Sequence, residues 1–278
     1  MTQRPRRIRW ITVASCALLI VGTFVAQSSS NFASAAGPCA APNTNEFDGV
    51  AVFPAAGDAT RWFEGTSSYL VVQNPALCTG VNTYANRVSA WVMIASSVSN
   101  LAYVQVGYIK SADFGHVRWF FEANNGYTGA NLNFDFYPSS FSVDAEAGVR
   151  HSFSVNWRTS DDFVHGDIDS VPWGASTFNP YRGSYSGDPA AVNRADFGAQ
   201  PWSPQYEGEG LYTQSDIPGI GSSHASFTYM GVQKFSDDAF ENLPCGYDIP
   251  DSDNYPRWTN SASGCTTASI WTLYPNPP

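Results

Sequence analysis

Nowhere in this chain does an apolar period of 3.6 residues persist for three turns; short runs rich in Val, Phe, Tyr and Trp recur instead between clusters of Gly, Asn, Ser and Pro. Such runs bury one set of side chains only as strands, where successive residues point to opposite faces. The candidates are YLVVQ, RVSAWVMIA, AYVQVGYIK, HVRWFFEAN, LNFDFYP, HSFSVNW, the stretch around EGEGLY, SFTYMGVQ and SIWTLYP. About nine or more strands joined by hairpin-length gaps predict an all-β fold, an antiparallel β-sandwich of jelly-roll or concanavalin-like kind. Alternation in AYVQVGYIK puts Tyr103, Gln105 and Gly107 on one face and Val104, Val106 and Tyr108 on the other. RVSAWVMIA divides likewise, into Val88, Ala90, Val92 and Ile94 against Ser89, Trp91 and Met93. One face is apolar, and the other is aromatic and polar, as a sandwich needs in order to hold an extended polymer.

The first 36 residues read as an export signal. Arg4, Arg6, Arg7 and Arg9 form the basic part, Ile11 to Ala26 the apolar part, and FASAA supplies the small residues for cleavage after Ala35 or Ala36. The apolar run is short for a membrane span and lacks a basic stop-transfer flank, so no membrane attachment is expected after cleavage. The Arg6–Arg7 pair leaves the twin-arginine route open beside the general one, and VASC sits too early for a lipoprotein box. Residues 37–278 then form a single secreted, extracellular domain. Losing four arginines moves the net charge from −10 to −14. So acidic a chain lacks the basic footprint that nucleic acid or anionic lipid requires.

Of five cysteines Cys16 leaves with the signal, and export favours oxidation of the rest. Three pairings are open; loop economy favours Cys39 with Cys78 and Cys245 with Cys265. Without a CxxC pair a zinc site is not expected, and no cofactor is implied. From Ser170 to about Gln205 the strand signal stops in a Pro, Gly and Asn-rich stretch whose six Trp, Tyr and Phe residues argue for an ordered loop.

The chain has no GxSxG elbow, HExxH, Walker loop or GxGxxG. His116, His151, His165 and His224 are scattered, as polar residues of loops and strand ends would be. Asp248, Asp251 and Asp253 offer oxygen ligands for calcium but lack the glycine and closing glutamate of a known calcium loop. GDIDSV places Asp167 and Asp169 one residue apart, like the acidic strand of some sandwich glycosidases. Pro172 and Trp173 stand where a closing acid belongs, which favours a surface strand edge.

The most informative pattern joins distant segments. SAWVMI is followed, 14 residues after Trp91, by Gln105 in VQVGY; then comes VRWFFEA, and later YEGEGLYTQSDIPG and ASFTYMG. In this order the chain resembles the secreted glutamic peptidases, of the fungal eqolisin type and of the neprosin type, and a group of uncharacterised actinobacterial secreted proteins. The eqolisin-like likeness lies in SAWVMI, in Gln105 before a glycine and in the aromatic strand. The neprosin-like likeness lies in VQVGY, FFEANNGYTG and EGEG, and the whole spans Arg87 to Lys234. The eqolisin resemblance implies an acid endopeptidase with Gln105 and Glu209 as catalytic dyad; neprosin-like enzymes use a glutamate where this chain has Gln105. Glu207 is one register step from Glu209 on the same face, and Gly210 departs from the large apolar residues that follow the eqolisin glutamate. Trp91 and Tyr103 share the face of Gln105 and would line the groove for a peptide, while Trp119 and Phe121 stay open between groove and core. The alternative is a non-catalytic extracellular module that binds a glycan or peptide polymer on the same face.

Overall fold

The computed structural model describes residues 46–51, 63–96, 102–125, 133–158, 160–178, 202–210, 225–234, 239–243, 258–263 and 266–272. The chain divides into two compact units, Met1–Phe32 and Ala33–Pro278, the first lying wholly outside the described residues together with the expected export signal. The second is an antiparallel β-sandwich. Among the described residues its one turn of helix is 3₁₀, at Asp144–Glu146.

One sheet has six strands in the order β1 (Glu46–Ala51), β10 (Trp202–Gly210), β3 (Arg87–Ser96), β4 (Ala102–Ser111), β5 (Val117–Asn125) and β6 (Phe134–Pro138). The other runs β13 (Trp258–Ser263), β14 (Thr267–Thr272), β11 (Ala225–Lys234), β2 (Phe63–Val71), β7 (Arg150–Arg158), β8 (Phe163–Ile168) and β9 (Val171–Ala175). A short β12 (Phe240–Asn242) adds to β11. Every ladder is antiparallel. Two of these strands fall in the stretch expected to be loop. Val171–Ala175 turns back on β8, and β10 begins at Trp202, because aromatic and small residues there find partners that a local reading cannot supply. The loop's middle, 179–201, lies outside the described residues.

The core lies between the sheets and follows the alternation. Val88, Ala90, Val92 and Ile94 of β3 and Val104, Val106 and Tyr108 of β4 are buried against Leu70, Phe153, Val155, Val164 and Phe227 of the facing sheet. Trp119 and Phe121 belong to this core, Trp119 meeting Phe153 edge to face at 5.5 Å. Each such side chain withdraws apolar surface worth roughly 1.5–3 kcal/mol from water. Gly166 and Gly174 lie against the Phe121 ring, which a Cβ at Gly174 would approach to 2.7 Å. At the open side of the sandwich the Asp135 carboxylate of β6 accepts from the Thr177 backbone N–H (2.6 Å) and hydroxyl (3.0 and 3.1 Å), just beyond β9.

Tyr206 fixes how β10 sits. Its ring is fully buried against Phe227 at 5.9 Å, and burial pushes its phenol far above the ordinary range. The Thr66 hydroxyl donates to the Tyr206 oxygen (2.8 Å), which donates in turn to the Gly231 carbonyl (3.2 Å). The core is thus bridged from sheet to sheet by one phenol. Tyr206→Phe should cost about 1 kcal/mol, since the Thr66 hydroxyl can turn to the Gly231 carbonyl instead. Tyr206→Ala should cost about 3–5 kcal/mol through the cavity it leaves. Urea unfolding measures both, and equal costs would place the anchor of β10 elsewhere.

Candidate active site

The side of the six-stranded sheet that faces away from the core is a second apolar layer. Trp91, Met93 and Ala95 of β3, Ile109 of β4 and Phe120 of β5 are buried there, with Tyr84, Tyr103, Phe114 and Phe136 packed against them. Gln105 sits among these residues. Cross-strand register sets its row, with Gln105 opposite Met93 on one side and Glu122 on the other, and Met93 opposite Gln205. Because Tyr206 is turned into the core, positions 205, 207 and 209 alternate onto the face of Gln105. The sequence-predicted residues Trp91, Tyr103, Gln105 and Glu209 therefore lie on strands of one sheet.

Register also separates the two glutamates of β10. Glu207 pairs with Trp91, which pairs with Gly107, two residues along β4 from Gln105. Glu209 pairs with Ser89, opposite Ile109, four residues along. With strands about 4.8 Å apart and about 3.4 Å of rise per residue, the backbone of Glu207 stands about 12 Å from that of Gln105, and that of Glu209 about 17 Å.

On this face the Trp91 indole N–H is buried without a hydrogen-bond partner, and beside it the Gln105 amide is left unbonded with its polar end reaching solvent. Trp91 is 6% exposed and its indole N–H donates to nothing; Gln105 is 8% exposed and its amide bonds no described group. A buried donor left unmade costs roughly 1–3 kcal/mol. Next to them the Tyr103 hydroxyl donates to the Glu122 carboxylate. Glu122 is a residue the sequence reading missed as a site member. Its signal was present, since alternation in VRWFFEAN puts Glu122 and Phe120 opposite Trp119 and Phe121.

Gly107, two residues after Gln105, is required by the close approach of two strands. A Cβ there would run into the Ala90 carbonyl oxygen and lie 2.7 and 2.8 Å from Trp91 Cα and Cβ, so β4 reaches β3 this closely only without a side chain. The glycine seats Trp91 beside Gln105.

The other singled-out residues lie elsewhere. Asp167 is held by Arg158, whose Nη2 donates at 2.7 and 2.8 Å, and by Asn156 Nδ2 at 3.2 Å. It lies on the outward face of β8, largely covered, and because β8 is paired on both sides by β7 and β9 it is not at the strand edge expected for it. Asp169 lies in the β8–β9 turn, bonded to His151 Nδ1 (2.6 Å) and the Ser152 backbone N–H (2.9 Å). Burial pushes its carboxyl up, but the donors of His151 and Ser152 outweigh this and hold it below the usual carboxylate range. The two carboxylates thus have separate partners. Cys78 is buried and disulfide-bonded; Cys39, Cys245 and Cys265, and with them the expected pairings, lie outside the described residues, as do Asp248, Asp251 and Asp253. Among the described residues no three His, Cys, Asp or Glu side chains gather as a metal site.

No protein-family model and no curated protein matches this chain. Among solved structures it is similar to scytalidoglutamic peptidase bound to a peptide-based transition-state analogue, at 15% identity and a TM-score of 0.46, covering 84% of this chain and 100% of that one. It is similar also to SCP-B, a member of the eqolisin peptidases in complex with the tripeptide Ala-Ile-His, at 14% identity and a TM-score of 0.45 over the same shares. A weaker likeness, at 8% identity and a TM-score of 0.33, covers 77% of this chain and 59% of an endo-acting O-glycanase of the human gut microbiota. At this identity and overlap these likenesses assign no activity.

Two outcomes follow from the geometry. Gly107→Ala should cost about 1–3 kcal/mol by overpacking, read by urea unfolding, and should shift the Trp91 fluorescence. Asp169 has a depressed folded-state pKa, so its contribution is present above the unfolded carboxylate value of about 3.9 and is lost as pH falls through the folded value. The stability gap between wild type and Asp169→Asn should therefore close on acidification below about pH 3.9, and a gap that widens would be the wrong sign.

Proposed function

We propose that the protein is a secreted acid endopeptidase of glutamic type. The observation that carries this reading is the buried, unpartnered Trp91 indole N–H beside the unbonded, solvent-reaching Gln105 amide, on the sheet that also holds the acidic positions of β10. An extended peptide laid across β3 and β4 would present carbonyl oxygens to these donors, inside an apolar layer where a hydrogen bond gains strength from the exclusion of water. As water attacks, the developing oxyanion accepts a hydrogen bond from the Gln105 N–H, and Trp91 and Tyr103 hold the flanking chain. A carboxylate takes the proton from the water and, as the tetrahedral intermediate collapses and the C–N bond breaks, the carboxylic acid so formed gives that proton to the departing amine nitrogen. Register favours Glu207 for this role over Glu209, because Glu207 lies one step nearer the Gln105 row. Glu122, opposite Gln105 and bonded to Tyr103, positions that hydroxyl beside the amide.

The test is digestion of denatured protein substrates from pH 2 to 7, with circular dichroism confirming each fold. An exposed glutamate titrates near 4.3, so activity should rise through about pH 3 to 5 as the base ionises. Gln105→Ala should lose roughly a hundredfold to a thousandfold in turnover. Glu207→Gln should be at least as damaging, because an amide accepts no proton from water, while Glu209→Gln retains activity. The reverse order of the two glutamates returns the base to Glu209. If wild type cuts nothing at any pH, the dyad is wrong and the face is a binding surface for an extracellular polymer.

A further inference from the structure

A groove of about 350 Å³ lies on the outward face of the other sheet, across the sandwich from Gln105. Its floor is a row of polar side chains set by register, with Ser67 of β2 opposite Ser154 of β7, and Ser154 opposite Asp167 of β8. The Ser67 and Ser154 hydroxyls bond no described group. Gly231 of β11 makes room for the first of them, since a Cβ there would lie 2.7 Å from Ser67 Oγ. Asp167 keeps acceptor capacity while its charge is balanced by the two Arg158 contacts at 2.7 and 2.8 Å. The floor is thus polar and locally neutral.

Aromatic rings form the walls. Tyr69 and Tyr229 meet edge to face at 5.7 Å, Tyr229 is 64% exposed, and Phe240 of β12 stands exposed beside them. Arg150 stacks on Tyr69 at 5.0 Å and steadies it. Tyr229 lies where the β11 register shifts between Thr228 and Gly231, and takes φ 54°, the left-handed conformation that L residues avoid. The bulge turns a large ring out of the sheet and over the serine row.

The chemistry distinguishes the ligand. β11, β2, β7 and β8 are each paired on both sides, so the floor offers no free backbone N–H or C=O to an incoming peptide strand. A pyranose needs none: its C–H face stacks on an aromatic ring and its hydroxyls exchange hydrogen bonds with serine, amide and carboxylate groups. A net charge of −10 opposes an anionic polymer. We propose that this groove binds a neutral oligosaccharide, stacked on Tyr229 and Tyr69 above the Ser67–Ser154–Asp167 row.

The experiment is calorimetric titration of the purified chain with cellohexaose, xylohexaose, maltohexaose and chitohexaose, with hexagalacturonate and a hexapeptide beside them. At least one neutral hexasaccharide should bind saturably. Tyr229→Asn should weaken it by roughly tenfold or more. Asparagine is at ease in the left-handed region, so this variant should melt no lower than wild type. Ser154→Ala should weaken binding similarly, while Phe141→Ala, which removes an exposed ring outside the groove, should leave it unchanged. Absence of binding by all four neutral sugars at millimolar concentration overturns the proposal. So does binding that survives in Tyr229→Asn and Ser154→Ala, or a preference for the hexagalacturonate or the peptide.

Discussion

The bond from Thr66 through the Tyr206 phenol to the Gly231 carbonyl decides which residues of β10 reach the outer face. A strand that slips by one residue exchanges every inward side chain for an outward one. In QYEGEG a slip would replace a tyrosine whose hydroxyl finds partners by Gln205 or Glu207. Burying an unpaired carboxylate costs several kcal/mol. The register is therefore held from both directions, by what Tyr206 gains inside and by what a glutamate would lose there.

The same sheet carries a cost on its other side. Interiors leave few polar groups unmade, and those that persist belong where the rest of the fold can bear them. The unmade Trp91 indole N–H is borne by the apolar contacts of Met93, Phe120 and Ile109 and by the close approach of two strands at Gly107. Closely packed surroundings of this kind keep the indole from relaxing toward the backbone.

Much of this was legible. Alternation in RVSAWVMIA and AYVQVGYIK divides the inward and outward residues of β3 and β4 as the structure does, because both strands bury one face fully and long side chains declare it. The placement of Trp119 and Phe121 in the core needed the facing sheet, since an aromatic is apolar on either side of a strand. β1, with its Asp48 and Gly49, has little local strand character and is held by β10, more than 150 residues later in the chain. Pairings so distant set strand order and the choice between Glu207 and Glu209, and no local pattern encodes them. The short β9 and β12 were missed for the same reason, being strands only because β8 and β11 present open edges.

The bond between Asp135 and Thr177 has a consequence for the life of the protein in a crowded solution. It joins β6 to the segment after β9, the two outermost strands on one side of the sandwich. Outermost strands are where sheets of separate molecules fuse, since their unused N–H and C=O groups template another chain. Here each strand carries a proline, Pro138 and Pro172, that removes a donor, and a carboxylate spanning the gap leaves a charge where an intruding strand would have to lie. The clasp that closes the fold is also its guard against self-association.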